Sequence, residues 1–341
     1  MSDYEILEDY VHEYLNVDTT DDFDYARNEP RIMNTKYKIL ENIGSIHLEE
    51  NKVFLVLNTI SQKEYVLKFI NDTEKLVYSK LKTNKHPNLP DIVDMFECEI
   101  LDVNRDSYDY NCSRYDKYIK TAIILNKYDA NLSMINFTKL SFQIKTNIIK
   151  QIISGVLHLH KLGLYHGDLK PHNICIETYN AQYFIKLIDF ETSRSVDFKS
   201  EIKNTFPFCT PDAFQYAYFD MEEDDRLNKI TTYKENGQLN DIFVICTLIF
   251  YILGNRIANQ RDLWINFCTS YIEDYDVAKR CDFKGKKILI DHVKKDPFKI
   301  WSEMCYLNTS IISKKLKKQI QKCMEIDENK RGKLEDLYKL F

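Results

Sequence analysis

Between residues 37 and 70 the apolar positions come in short runs, "YKILENIG", "NKVFLVLNT" and "KEYVLKFI", rich in β-branched and aromatic residues and bounded by polar turns. That punctuation predicts three consecutive antiparallel strands. A helical stretch follows over residues 73–82, then two more strand candidates at 92–101 and 119–125, separated by a polar, Tyr-rich stretch. From Phe142 onward the period changes. "QIKTNIIKQIISGVLHLHKLG" sets Ile144, Ile148, Ile152, Val156 and Leu159 on one helical face and stops at Gly163, where a C-terminal cap is expected. Past it, "NICI" and "YFIKLIDFE" read as a β-hairpin with Asp189 at its end. The longest apolar run, residues 242–253, is broken by Thr247 and falls well short of the roughly 20 residues a membrane-spanning helix requires. The pattern predicts an α+β, bilobal protein: an N-terminal segment over residues 1–36, a small antiparallel β-rich lobe over 37–125 and a larger α-helical lobe over 126–341. A cleft between two lobes is the default place for a ligand.

Composition changes this picture in two ways. At 341 residues, 44% hydrophobic and 29% charged, the chain is large enough for two lobes with a real core. Its net charge of -5 is unevenly spread: residues 1–29 hold ten Asp or Glu and one Arg, while the other 312 residues carry 46 basic and 42 acidic groups. The acidic balance therefore belongs to the N-terminal segment, where "SDYEILEDYVHEYL" has helical spacing and a capping box at Ser2 and Glu5. This segment either packs on its own domain or docks a partner. Basic residues do not interleave with aromatics along a stripe, so no nucleic-acid partner is expected. The acidic start is unlike a secretory signal. Nine cysteines with no CxxC pair point to a reducing, intracellular and cytoplasmic setting, and to no structural zinc.

The chemistry concentrates in "LYHGDLKPHNICI", residues 164–176. Asp168, Lys170 and Asn173 follow a helix end and precede the hairpin that carries Asp189. For phosphoryl transfer this set is coherent: a carboxylate to accept a hydroxyl proton, a cation for the transferred phosphate, and an Asn with a second Asp to hold Mg²⁺ in an oxygen shell. Alone, the loop would read more readily as a polar turn whose Asp and Asn bond their own backbone.

Six segments in order remove that ambiguity, because together they resemble the eukaryotic-type protein kinases over residues 37–341. "HGDLKPHN" resembles the catalytic loop H-R-D-L-K-P-x-N and "IDFE" resembles D-F-G. "YVLKFI" is similar to the strand carrying the phosphate-binding lysine, here Lys68. "NTFPFCTPD" resembles the segment ending A-P-E, through Thr205, Pro211 and Asp212. "NDIFVICTLIFYILGNR" resembles the buried helix whose Asp, here Asp241, anchors the catalytic loop. "CMEIDENKRGKLEDL" resembles the closing segment, with Arg331 as the partner of Asp212.

The resemblance implies a divergent Ser/Thr protein kinase that uses ATP and Mg²⁺ on protein substrates. It implies Asp168 and Lys170 as catalytic, and Asn173 and Asp189 as metal ligands. It places Gly44, Val53, Val66, Lys68, Glu74, Asn126, Lys127, Tyr128 and Cys175 around the nucleotide. For Glu74 two roles stay open: a pair with Lys68, or only a helix-capping box with Asn71.

Three departures bear on activity. The phosphate loop keeps only Gly44, Val66 stands where a smaller alanine is usual, and Glu191 replaces the D-F-G glycine. The Arg of the catalytic loop is replaced by Gly167, so the usual receptor for an activation-segment phosphate on Thr192, Ser193, Ser195, Ser200 or Thr205 is missing. Two readings of different class follow: an active kinase, or a weak or inactive pseudokinase that acts as a binding or scaffold protein.

Overall fold

Short strands rich in β-branched and aromatic residues build the first part of the molecule. In the computed structural model, which describes residues 31–32, 36–44, 53–103, 115–195, 208–211, 236–254 and 291–341, the chain begins with β1 (Arg31–Ile32). It continues as β2 (Tyr37–Asn42), β3 (Val53–Asn58), β4 (Lys63–Ile70), helix α1 (Asp72–Thr83), β5 (Ile92–Val103) and β6 (Tyr115–Asn126). Two compact units divide the chain, one of residues 1–34 and 98–119, the other of residues 35–97 and 120–341. In the first, β1 pairs antiparallel with the end of β5, Arg31 opposite Leu101.

In the second unit the strand order is β5-β6-β4-β3-β2, with the three expected strands pairing antiparallel in sequence order. Leu67 lies opposite Phe54 on one side and Ile124 on the other, and all three are fully buried. One residue along, Val66 lies opposite Leu55 and Leu125, and Lys68 opposite Val53 and Ile123, so these project from the other face.

The helical part follows β7 (Ala130–Asn131). Helix α2 (Phe142–Lys161) opens on Ser141, whose Oγ accepts from Ile144 N, and it closes before Gly163 at φ 70°. It buries Ile148, Ile152, Val156 and Leu159 as the sequence spacing predicts, while Ile144 on the same face is half-buried. Truncating Ile148, Ile152 or Leu159 to alanine would cost about 2–5 kcal/mol. A Cβ on Gly155 would lie 2.9 Å from Leu187 Cδ1, so that glycine lets α2 approach the hairpin that carries Asp189.

Next come β8 (Leu164–Tyr165), β9 (Ile174–Tyr179), β10 (Gln182–Leu187) and β11 (Arg194–Ser195). Helix α3 (Gly237–Leu253), buried on every side, is the long apolar run, and it starts earlier than the pattern suggested. Helices α4 (Pro297–Met304), α5 (Lys314–Cys323) and α6 (Leu334–Tyr338) complete the described residues, among which no helix is long and apolar enough to cross a membrane. The acidic segment 1–29, the phosphate loop at 45–52, Ser200, Thr205 and Asp212 lie outside the described residues.

β9 and β10 pair in strict register from Tyr179–Gln182 to Ile174–Leu187, joined by Asn180 and Ala181, both left-handed at φ 49° and 59°. This is the backbone of a primed two-residue turn, in which asparagine is at ease and alanine carries a Cβ penalty. Ala181→Gly is expected to stabilise the protein by about 0.5–1 kcal/mol, seen as a higher denaturant midpoint at unchanged slope. A lower midpoint would show that residue 181 is not held left-handed.

Candidate active site

The loop from His166 to Asn173 is fixed from below by one buried carboxylate. Asp241, in the first turns of α3 and 1% exposed, accepts from His166 N at 2.8 Å, Gly167 N at 3.1 Å and His160 Nε2 at 3.1 Å. His166 Nε2 donates to Ile188 O at 3.1 Å, while Nδ1 accepts from Asp168 N at 3.3 Å, which ties the loop to the strand end before Asp189. Gly167 sits at φ +80°, and a Cβ there would lie 3.0 Å from the Thr192 carbonyl, so the turn demands glycine on both counts.

Above this anchor Asp168 is buried, with Lys170 Nζ at 2.6 Å from its Oδ2. Asn173 Nδ2 donates to both Asp168 O and Oδ2, at 2.9 and 3.0 Å. The amide nitrogen being used twice on Asp168, the amide oxygen of Asn173 is left as an acceptor.

Lys68, Glu74 and Asp189 form one ion cluster. Lys68 Nζ lies 2.7 Å from Glu74 Oε1 and 2.7 Å from Asp189 Oδ1. Both open roles of Glu74 are realised at once. Its backbone N–H takes the Asn71 Oδ1 cap at 2.9 Å, and its side chain takes the lysine. Burial alone would lower the Lys68 pKa, but Asp189 and Glu74 outweigh it and hold the ammonium charged. Burial likewise pushes Asp189 up, yet Lys68 prevails and keeps its carboxyl below the ordinary range. For Glu74 burial prevails and raises its pKa, with Lys68 offsetting only part.

Asp189 holds φ 66°, a left-handed conformation that costs of order 1 kcal/mol or more in a non-glycine residue and gathers at functional sites. Glu191 is absent from the left-handed positions, so its side chain is accommodated without backbone strain where glycine was expected. Oxygen donors from Asp189 and Asn173, with phosphate oxygens, fit a hard divalent cation such as Mg²⁺.

The residues expected around a nucleotide are brought together in part. Gly44 N donates to Val53 O at 3.0 Å, which brings the two ends of the phosphate loop together. Val66 is half-buried on the Lys68 face. Asn126 ends β6, opposite Tyr65, and residues 127 and 128 follow directly on it. There Lys127 Nζ bonds Glu64 at 2.6 Å and the Tyr128 hydroxyl accepts from Asp91 N at 3.3 Å. Cys175 is half-buried, opposite Asn131 and Lys186, and burial pushes its thiol up to about 12.

One sequence expectation needs correction. Thr192 and Ser193 are buried, and both donate to His166 O, at 3.2 and 2.8 Å, so neither presents its hydroxyl for modification. Sequence reasoning also passed over Tyr78, fully buried with its ring edge-on to Phe190 at 5.4 Å. The available signal was its place four residues after Glu74, on the same helix face. The lysine-rich run 314–318 lies on α5 with Leu316 buried. A groove of about 580 Å³ beside it is lined by Lys315, Lys318, Lys322 and Leu340 among others, and holds none of the residues above.

The family model "Protein kinase domain" matches residues 37–340. Calcium-dependent protein kinase 4 of Plasmodium falciparum is 28% identical over 208 residues, 57% of this chain and 36% of the relative. A stress-activated protein kinase JNK of Suberites domuncula is 27% identical over 172 residues, 48% of this chain and 42% of the relative. The probable serine/threonine-protein kinase fnkB of Dictyostelium discoideum is 23% identical over 321 residues, 87% of this chain and 54% of the relative. The chain thus spans about a third to a half of the length of these relatives.

Proposed function

The chain belongs to the protein kinase family, and from that premise we propose that it transfers the γ-phosphate of Mg-ATP to serine or threonine hydroxyls of protein substrates. The observation that carries the reading is the convergence of two polar clusters, Asp168–Lys170–Asn173 and Lys68–Glu74–Asp189, drawn from four separate segments of the chain. A binding-only protein would have little use for them. A buried ion pair is a weak source of stability, and the strained Asp189 is a cost without a gain unless its carboxylate has a task.

In this reading Asp168 accepts the proton of the acceptor hydroxyl as its oxygen attacks the γ-phosphorus, and the bond to the bridging oxygen of ADP breaks. Lys170, already 2.6 Å from Asp168, neutralises charge on the transferring group. Lys68, held protonated by its two carboxylates, binds the α- and β-phosphates, with Glu74 fixing its position. Asn173 and Asp189 would hold Mg²⁺, which supplies charge neutralisation between the phosphates. Val66 and Cys175 border the base, and the backbone of Asn126, Lys127 and Tyr128 bonds it.

Gly167 carries no cation to receive an activation-segment phosphate, and Arg194 Nη1 is spent on the Glu191 and Ser193 carbonyls, at 2.7 and 3.0 Å. Activity should therefore not depend on such a phosphate. Protein stripped by a phosphatase and then freed of it is expected to label serine and threonine of a general protein substrate as fast as untreated protein. Label on tyrosine alone would overturn the acceptor assignment. A loss of rate restored only by rephosphorylation would overturn the claim of independence.

A further inference from the structure

We infer that Tyr78 is a positioning residue of this site, its hydroxyl donating to the second oxygen of Glu74 through one bound water. The inference rests on the kinase reading. Among the described residues, Glu74 Oε2 and the Tyr78 hydroxyl are both buried and without a hydrogen-bond partner. Each such atom is a substantial liability in a folded protein and calls for an explanation. Here the two are complementary, one an acceptor and the other a donor.

They also stand four residues apart on α1, the spacing that brings helical side chains together. The hydroxyl lies within electrostatic reach of Lys68, Glu74 and Asp189. Packing does not account for it, because phenylalanine would give the same edge-on contact with Phe190, whose other neighbour is His166 at 5.3 Å.

The hydroxyl answers a weakness in the cluster. Lys68 is shared between Glu74 and Asp189, and burial raises the Glu74 pKa. Phosphates entering the site compete for the same ammonium. A donor to Oε2 favours the ionised carboxylate and so keeps Glu74 able to hold Lys68 in place. Tyr78 thereby acts through Glu74 without touching the reacting atoms.

The test compares Tyr78→Phe with wild type in the full chain. The expected result is a fall of about tenfold in kcat/KM for ATP, the effect of losing one hydrogen bond to a charged group. The acid limb of the pH profile should move to higher pH, because the ionised Glu74 has lost a donor. Adding Tyr78→Phe to Glu74→Gln should cost nothing further. A ¹³C carboxyl titration of Glu74 in nucleotide-free protein, assigned with Glu74→Gln, should give a higher pKa in Tyr78→Phe than in wild type. An equal pKa in the two proteins overturns the inference whatever the activity. A wild type that transfers no phosphate overturns the kinase reading instead, and the titration still decides the role of Tyr78.

Discussion

Asp189→Asn is expected to reduce phosphate transfer by about 10³-fold or more while the protein stays folded. In the proposed reading the carboxylate has two tasks that an amide cannot perform: it would balance the charge of a divalent cation, and it shares Lys68 with Glu74 at 2.7 Å. The substitution is a clean probe because asparagine accepts the left-handed φ of 66° about as readily as aspartate, so the backbone need not move. Single-turnover rates at saturating Mg-ATP would measure the loss, with thermal midpoints as the check on folding. Turnover within tenfold of wild type would remove Asp189 from the metal site.

The second large effect is on stability. Asp241→Ala should destabilise the protein by about 3–5 kcal/mol, since the buried carboxylate is the acceptor for His166 N, Gly167 N and His160 Nε2. Its removal leaves two backbone N–H groups in the core with no replacement acceptor. The loop holding Asp168 loses its floor at the same time, so turnover should fall in whatever fraction remains folded. Chemical denaturation of both proteins gives the number. A loss below about 1 kcal/mol would mean that the loop is held by something else.

Much of the fold could be read from the sequence wherever the determinant is local. The three strands between residues 37 and 70, the helix stopping at Gly163 and the hairpin before Asp189 each follow from period and turn residues within a few positions. The catalytic loop was legible for the same reason, as a dense polar motif between two apolar elements.

What escaped depends on contacts between distant segments. Nothing near Thr192 and Ser193 in sequence reveals that their hydroxyls bond the His166 carbonyl across 26 and 27 residues. The double role of Glu74 was framed as a choice because its amide and its carboxylate were treated as one group. Tyr78 reads as an ordinary apolar helix position until its hydroxyl is found buried beside Lys68. Glu191 replaces a glycine, yet the left-handed residue of that turn is Asp189, which the sequence alone does not reveal.

The central claim, that this site transfers phosphate and does not merely bind nucleotide, turns on Asp168. The most direct measurement is the rate of γ-³²P transfer from labelled ATP to a protein substrate by wild type and by Asp168→Asn, each at saturating Mg-ATP with nucleotide affinity measured in parallel. The account predicts transfer by wild type and a loss of about 10³-fold in the variant at similar ATP affinity. Equal background rates from two proteins that both bind ATP would contradict it and leave the chain a nucleotide-binding pseudokinase.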